Sequence, residues 1–449
     1  MSQPQRVLSK ANLSRRSFLK GAAAIGLGAP LFAACTVPTA PTTTTGQEGA
    51  AAPATEVKVV EFWDMVWGPP EYVDTGNKLV AQFNEEHTDM QAIYQSTPWT
   101  NWYQTFLTAI GSGTAPDCST GAGYQAVQFY AQGAVVPVDH IIDEWRAEGE
   151  VEDFLPGTIE RLQYDGHFMA LPWQIDIRIP WIRTDYLEET GLPMPSNWTE
   201  LDAVLEAMTG GDRYGIVAPN DTGGSHYIFM LMFNNDGGLF TEDLQLDVMY
   251  ERNVEALQYA ANWVAQGWMH PGSAGFVGDD AIRAFGQGFA GVQVNNPNYP
   301  ARLAPEVAEV TAPMDVLESP HGTVGTISWV NNMMLYAQAD DLEAASYFLK
   351  WWSKNQLPLW TEGHMTQVPV RKSFAADPFF QENANLVKVL NEWVPIGKGT
   401  AERGEGIFPE LNEVEGEGVM QTLWQDILQG KDVMESLRTA EARLQSIVG

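Results

Sequence analysis

Residues 164–205 read YDGHFMALPWQIDIRIPWIRTDYLEETGLPMPSNWTELDAVL and carry the most specific pattern in the chain. A turn signal opens the stretch, and an apolar, extended run follows it. Asp176 and Arg178 stand as isolated charges inside that run, where a charge must be paired or hydrogen-bonded. Thr199 is placed to cap the helix that comes next. The stretch therefore predicts a buried strand that carries one acid and one base, followed by helices.

The length and charge of the chain limit the classes of protein to which it can belong. At 449 residues it is too long for one ordinary domain, so two or more lobes with separate cores are expected. The formal charge of −32 repels phosphate backbones and anionic lipid surfaces. Nucleic acid is therefore excluded as a partner.

The N-terminus has the pattern of an export signal. Arg15-Arg16 precedes an apolar core over residues 21–34. A twin-arginine pair before such a core is typical of exported proteins, and this core is too short to remain as a transmembrane helix. Residues 1–34 are therefore predicted to be a signal peptide that is removed.

Cys35 follows Ala33-Ala34, and this resembles a lipoprotein cleavage box. Cys35 is predicted to become the lipidated N-terminus, and ordinary cleavage nearby is the alternative. Residues 35–56 are rich in Thr, Ala, Pro and Gly without hydrophobic periodicity, which predicts a flexible tether. Cys118 is the only other cysteine and is predicted to be a buried small hydrophobe.

The first part of the exported chain predicts a βαβ unit. Residues 57–63 read as a buried strand, residues 77–86 as a helix, residues 90–94 as a second strand and residues 99–110 as a second helix. Parallel sheets of this kind place binding loops at the carboxyl ends of their strands. Side chains that follow the strands are therefore the candidates for a binding site.

Aromatic and planar polar side chains are concentrated after the predicted strands. A sugar site needs aromatic platforms for C–H faces and hydrogen-bonding groups for hydroxyls. The candidate platforms are Trp67, Tyr124, Trp173, Tyr299 and Trp329. The candidate polar contacts are Asp64, Gln174, Asp176, Arg178, Asn295 and Asn296. For about half of the aromatic residues the alternative is packing in a core, and Trp181 and Trp263 are assigned to such packing. For Asp176 the alternative to ligand contact is a structural ion pair with Arg178.

Motifs for other chemistry are absent from the sequence. There is no phosphate-binding loop, nucleophile elbow, zincin or Cys-x-x-Cys element, and the seven histidines show no metal-ligand spacing. No metal and no cofactor are predicted. The many carboxylates leave an exported saccharide-active enzyme open as an alternative, although no two of them are brought to a defined separation.

The central stretch resembles the "GK-x-YALP … YNKDLFEKAGL … P-TW-EL" passage of the extracellular solute-binding proteins of ABC importers, carbohydrate-binding family 1, which are maltose-binding-protein-like. His167 stands in place of the lysine, and Trp181-Ile182 replaces the tyrosine–asparagine pair. Residues 111–117 are similar to the family's "SG-x-APDV", and residues 368–373, VPVRKS, to its "G-x-x-P-x-R". Such matches continue in the family's order from Val57 to the C-terminus.

The resemblance implies an α/β, two-lobed periplasmic-binding-protein fold of type II, with hinge-linked lobes and discontinuous chain crossings. Lobe 1 is expected at residues 57–174 and 328–374, and lobe 2 at residues 175–327 and 375–449. The ligand would lie between the lobes. Chain crossings between the lobes are expected near residues 174–176, 325–328 and 372–377. Ser328, which ends the second of these, and Arg371, in the VPVRKS motif, join the candidate ligand contacts.

The resemblance implies a protein that binds a solute and does not catalyse a reaction. The protein would be the substrate-binding component of an ABC importer, taking a mono- or oligosaccharide to the membrane permease. It would act as a monomer, lipid-anchored at the outer face of the cytoplasmic membrane in the periplasm or at the cell surface. A non-sugar solute such as glycerol phosphate stays open as an alternative ligand, although the excess of acids counts against an anion.

Overall fold

The computed structural model describes residues 57–401, 403 and 406–449. The predicted signal peptide at residues 1–34, the lipidation of Cys35 and the whole predicted tether at residues 35–56 lie outside the described residues. Within these ranges no helix combines the length and the apolar character needed to cross a membrane.

Strands and helices alternate along most of the described chain. The strands are β1 Lys58–Met65, β2 Met90–Thr97, β3 Cys118–Gly121, β4 Val135–Val136, β5 Gln163–Tyr164, β6 His167–Phe168, β7 Leu171–Ile177, β8 Ile179–Arg183, β9 Tyr214–Ile216, β10 Ala290–Asn295, β11 Thr311–Pro313, β12 Thr326–Tyr336, β13 Val368–Pro369 and β14 Gly397–Lys398. The helices are α1 Pro70–Glu86, α2 Trp102–Ser112, α3 Gln125–Ala131, α4 Asp139–Glu148, α5 Thr184–Thr190, α6 Trp198–Met208, α7 Thr222–Asn234, α8 Glu251–Ala265, α9 Gly278–Gly286, α10 Pro305–Ala308, α11 Leu342–Asn355, α12 Pro358–Thr361, α13 Lys372–Ala375, α14 Pro378–Gln381, α15 Ala384–Lys388, α16 Glu410–Gly416, α17 Val419–Leu428 and α18 Val433–Val448.

Two separate sheets organise these elements. The first has the order β13-β7-β12-β3-β1-β2, with β14 and β4 also paired to β12. The second has the order β11-β8-β10-β9. The chain leaves the first sheet after β7 and enters the second at β8, so Arg178 stands alone between the two. It returns to the first sheet through β12.

Helices cover both faces of the first sheet. Phe62 of β1 packs against Phe348 and Trp352 of α11, with ring centroids 5.0 and 4.8 Å apart. The next residue, Trp63, points to the other face and packs against Phe106 of α2 at 5.7 Å. From Val60 to Met65 every position of β1 is buried or half-buried, as expected for a strand that is covered on both faces.

The directions of the strands bring the ends of several strands to one edge of the first sheet. β1 runs parallel to β2 and β3, whereas β12 is antiparallel to both β3 and β7. The carboxyl ends of β1, β2, β3 and β7 therefore meet the amino end of β12 at the same edge. This edge is called the carboxyl edge of the first sheet below.

The burial of three residues and the cap of one helix can be compared with the predictions from the sequence. Trp181 and Trp263 have no exposed surface, which confirms their assignment to packing. Cys118 is likewise fully buried, as predicted, and burial raises the pKa of its thiol. The predicted cap of α6 was wrong: Asn197 rather than Thr199 accepts the hydrogen bond, from the Glu200 N–H at 3.0 Å. Asn197 has the extended backbone that a cap requires, and Thr199 already lies inside the helix.

Candidate ligand-binding cleft

The carboxyl edge of the first sheet gathers most of the candidate residues. Along β12, Trp329 lies opposite Asp176, Asn331 opposite Gln174, and Asn332 opposite Gly121 at the end of β3. Ligands of α/β proteins bind in the crevice beyond such strand ends. The structure thus brings residues from three distant parts of the sequence, β3, β7 and β12, to one edge of the sheet.

A cavity of about 450 Å³ opens beside this edge. Its volume falls within the range of small-molecule sites. Four segments line it: the loop after β3, the turn before β5, the start of β12 and the chain that follows β14. The lining residues are Gly123, Tyr124, Gly157, Glu160, Arg161, Gln163, Ser328, Trp329, Val330, Gly399, Ala401, Gly406 and Ile407.

Arg178 is the centre of a polar network next to the cavity. Its Nη1 donates to Asp176 Oδ1 at 2.5 Å, and its Nε donates to His226 Nδ1 at 2.8 Å. Asn296, which follows β10 of the second sheet, donates from Nδ2 to the same Asp176 oxygen at 3.0 Å. The pair that the sequence left open between Asp176 and Arg178 therefore exists, and it is tied to the second sheet.

His226 takes part in this network as a neutral acceptor. Burial lowers the pKa of its imidazole well below the usual range, and the positive charge of Arg178 adds to the effect. A neutral ring can offer Nδ1 as an acceptor, as the Arg178 contact requires. The network therefore contains one base, one acid and no further charge from histidine.

Trp329 lies between the network and the cavity. Its ring is 5.1 Å from the Arg178 guanidinium and 4.9 Å from the His226 ring. Its Nε1 donates to Glu415 Oε1 at 2.8 Å. Burial raises the pKa of Glu415 to about 7, although hydrogen bonds from Thr400 and Trp329 oppose this. The indole is thus held at its edge, in a fixed orientation at the cavity wall.

Tyr124 forms another part of the wall. Its hydroxyl accepts a hydrogen bond from the Thr400 backbone N–H at 2.8 Å, and burial raises its pKa, so it remains un-ionised. Thr400 also donates through its own hydroxyl to Glu415. Tyr124 and Trp329 are thereby both connected to the segment that follows β14.

Asp64 lies beneath this wall and faces no solvent. It accepts hydrogen bonds from Tyr72 at 2.7 Å, Tyr94 at 2.9 Å and Thr120 at 2.7 Å. Burial raises the pKa of its carboxyl to about 7, against the opposing effect of these three hydroxyls. Trp67, only 2% exposed, donates to the same Thr120 oxygen at 3.2 Å. Asp64 and Trp67 therefore support the edge from below, and direct ligand contact by either stays a prediction.

Three predicted contacts lie inside the lobes instead. Trp173 has no exposed surface and packs near Trp352 and Trp360. Tyr299 is also fully buried and donates its hydroxyl proton to Gln293.

Arg371, 3% exposed, is the third of these contacts. It pairs with Glu150 at 3.2 Å and Asp153 at 3.0 Å. Packing and ion pairing account for Trp173, Tyr299 and Arg371, so a role of any of the three in ligand binding stays a prediction that their burial disfavours.

The remaining candidates are divided between the two sheets: Ser328 and Gln174 belong to the first, and Asn295 ends β10 of the second. Ser328 lines the cavity. Asn295 is buried and its side-chain oxygen accepts from the Asn296 backbone N–H at 2.9 Å. Gln174 is fully buried, and neither its amide nitrogen nor its amide oxygen has a hydrogen-bond partner.

Other buried polar atoms at the same edge also lack protein partners. They are Thr97 Oγ1, Gln125 Nε2 and Asn332 Oδ1. Buried polar atoms are nearly always satisfied, because leaving one unpaired costs about 1–3 kcal/mol. These atoms give the carboxyl edge hydrogen-bonding capacity that the described protein groups do not use.

Sequence reasoning missed several residues of the site. They are His226 of the Arg178 network, Thr400 and Glu415, which hold Tyr124 and Trp329, and Glu160, Arg161 and Gln163 of the cavity wall. No local pattern distinguishes them from surface residues. The pairing of β14 with the start of β12 brings Thr400 and Glu415 into place, and that pairing joins residues about seventy apart. Among the described residues no group of His, Cys, Asp and Glu could hold a metal ion.

Residues 69–356 match the sequence profile of the bacterial extracellular solute-binding proteins, which is more than half of the chain. The chain belongs to this family. A crystal structure of a sugar transporter from Arthrobacter chlorophenolicus A6, with bound laminaribiose, is 31% identical to this solute-binding protein and superposes with a TM-score of 0.81. The alignment covers 86% of this chain and 99% of that one. The predicted two-lobed α/β fold is thereby confirmed.

Other relatives are more distant. An ABC transporter solute-binding protein from Thermotoga lettingae TMO, bound with α-D-tagatose, has a TM-score of 0.75 at 17% identity and covers 87% of this chain and 100% of its own, which shows the fold alone. A fructooligosaccharide ABC transporter substrate-binding protein from Streptococcus pneumoniae serotype 4 is 27% identical over 221 residues, or 44% of this chain and 40% of the relative. A putative binding protein from Brucella abortus is 23% identical over 311 residues, or 68% of this chain and 74% of the relative.

Proposed function

We propose that this solute-binding protein captures a neutral mono- or oligosaccharide between its lobes and delivers it to the permease of an ABC importer. The observation that carries the proposal is the cavity wall at Trp329, where a fixed indole lies beside planar hydrogen-bonding groups. Sugars are recognised by this combination of aromatic surface and directed polar contacts. The relative with bound laminaribiose supports the same class of ligand.

The unpartnered polar atoms support a ligand with many hydroxyls. Gln174 can donate two hydrogen bonds and accept two through its side-chain amide. A sugar hydroxyl both donates and accepts, so it can satisfy either end of such an amide. An apolar ligand at the same edge would leave those groups buried and unpaired, at a cost of about 1–3 kcal/mol each.

The charge balance disfavours an anionic ligand. Arg178 is already paired with Asp176 at 2.5 Å. Arg161, in the cavity wall, donates to the Gly397 carbonyl at 3.0 Å and has Glu160 beside it. Glycerol phosphate requires a cation or several N–H groups free to bind it. A neutral sugar fits this balance better.

The same geometry favours binding over hydrolysis. A glycosidase needs one carboxylic acid and one free carboxylate on opposite sides of the bond that it cleaves. Asp176 is committed to Arg178 and Asn296, while Glu415 accepts from Trp329 and Thr400. We therefore infer capture without catalysis, with lobe boundaries as the sequence predicts and closure about the chain crossings.

A panel of ligands tests the proposal. The panel contains laminaribiose, maltose, α-D-tagatose, fructooligosaccharides and glycerol 3-phosphate, each added to the exported protein during thermal unfolding. We expect at least one sugar to raise the melting temperature, since ligand at a hundred times its Kd stabilises the folded state by about 2.7 kcal/mol. The sugar should be recovered intact by mass spectrometry. Stabilisation by glycerol 3-phosphate alone, or accumulation of cleaved sugar, would contradict the proposal.

We also propose that Cys35 carries a lipid after removal of residues 1–34, and that the tether holds a monomeric binding protein at the outer face of the cytoplasmic membrane. The expected result is that the full chain fractionates with membranes and that Cys35→Ser moves it to the soluble fraction. Cys118→Ser is the matched control, since that thiol is fully buried in the folded part. Membrane association that survives Cys35→Ser would contradict lipid anchoring.

A further inference from the structure

Trp99 is an exposed tryptophan at the outer end of the carboxyl edge. It lies two residues beyond the end of β2, which is the last strand of the first sheet on this side. Its side chain is 39% exposed, and within the described ranges no other tryptophan has a comparable open surface. A single exposed hydrophobic residue is common on protein surfaces, so the role of Trp99 has to follow from the orientation of its ring and from its position beside the carboxyl edge.

The exposed ring is nevertheless fixed in position. Its Nε1 donates to the Val66 carbonyl at 2.7 Å. The ring meets Trp67 edge-on, with centroids 4.8 Å apart and planes at 80°. Trp102 borders it on another side at 6.1 Å. A rigid aromatic surface loses little conformational entropy when a ligand stacks on it.

The position of Trp99 is continuous with the proposed cleft. Trp67 offers its carbonyl oxygen to the Thr366 backbone N–H at 3.2 Å, and the Thr366 carbonyl accepts from the Asn298 backbone N–H at 2.8 Å. Asn298 follows β10, so loops of both sheets meet beside Trp67 and next to Trp99. Since β3, β1 and β2 are neighbours, two strand spacings, about 10 Å, separate the strand that leads to Trp99 from the one that leads to Tyr124.

We propose that Trp99 is an outer platform for additional sugar units, which makes the ligand class a neutral oligosaccharide of three or more units. The inference rests on the sugar-binding function proposed above. A cavity of about 450 Å³ is toward the lower end of the range for ligand sites. A longer chain must therefore leave it, and along the carboxyl edge the next open aromatic surface is Trp99.

Titration calorimetry with a length series tests the platform. The probes are laminaribiose, laminaritriose, laminaritetraose and laminaripentaose, together with the corresponding maltose series. For the wild type we expect affinity to rise with length beyond two units. Trp99→Ala should weaken binding of the longer sugars by about 5- to 30-fold, in the range of aromatic contacts, and change disaccharide affinity by less than twofold. Trp99→Phe, which keeps a ring but loses the bond to Val66, should retain most of the length dependence.

The matched control is Tyr347→Ala. Tyr347 is 42% exposed, but it lies beside His87, which precedes β2 and therefore belongs to the opposite edge of the sheet. This variant should bind every sugar as the wild type does. If Trp99→Ala weakens the binding of all sugars equally, or of none, Trp99 is not an outer platform, although the protein would still bind sugar. If the wild type binds no sugar of either series, both the role of Trp99 and the proposal of a neutral oligosaccharide ligand are wrong.

Discussion

Replacing Trp173 with alanine is expected to lower the free energy of unfolding by about 3–5 kcal/mol, the usual cost of removing a buried tryptophan. The side chain has no exposed surface and packs 6.4 Å from the Trp352 ring and 6.3 Å from the Trp360 ring. Alanine would leave a cavity among these large rings that rigid neighbours cannot fill. Urea denaturation followed by far-UV circular dichroism measures the loss.

The affinity of the folded Trp173→Ala protein for its sugar should change little, because the side chain does not line the cavity. Trp173→Phe serves as the control for volume and should recover part of the stability. A Trp173→Ala protein that is as stable as the wild type but binds sugar much more weakly would contradict the packing role and would restore Trp173 as a ligand contact.

The contrast between Trp173 and Trp329 shows where sequence reasoning reaches its limit. Both are tryptophans in strands next to polar residues, and both were predicted to be platforms. Successive side chains of a strand point to opposite faces of the sheet. Which of the two faces is covered by a helix depends on residues elsewhere in the chain. Trp352 and Trp360 come from α11 and α12, about 180 residues further along the chain than Trp173. No local pattern around Trp173 contains that information.

Family and fold were predictable because they depend on many weak signals in a fixed order. The predicted strand is present as β7, but it ends at Ile177, so it carries Asp176 and leaves Arg178 between the two sheets. The two charges nevertheless pair, as a buried acid and base must. Their further bonds to His226 and Asn296 could not be foreseen, because His226 lies in α7 and Asn296 follows β10, both far along the chain from β7.

Helix boundaries were less accurate, with a consequence for the site. A helix was predicted from residue 99, but α2 begins at Trp102. Asn101 has a left-handed backbone, with φ of 58°, and that conformation cannot continue a helix. Trp99 therefore lies in the loop before α2, where it is exposed. Because the sequence pattern placed it on a helix, it was not among the predicted platforms.

Replacing Trp329 with alanine is expected to weaken sugar binding by about 1–3 kcal/mol, or roughly 5- to 150-fold, through loss of aromatic contact and buried area. The ring is in the cavity wall, between the Arg178 guanidinium and the segment that carries Glu415. Titration calorimetry with the sugar that stabilises the wild type most measures the effect. The substitution also removes a hydrogen-bond donor from Glu415, so urea denaturation of the unliganded variant must accompany the titration.

The comparison that decides the role of Trp329 is with Trp173→Ala. The two variants delete the same side chain from β12 and from its neighbour β7. A residue that contacts the ligand loses those contacts when it is replaced, so its substitution lowers the affinity. A residue that only packs in the core lowers the stability and leaves the affinity nearly unchanged. If Trp329→Ala loses as much stability as Trp173→Ala and binds sugar as the wild type does, Trp329 is a core residue, and the sugar lies elsewhere along the carboxyl edge.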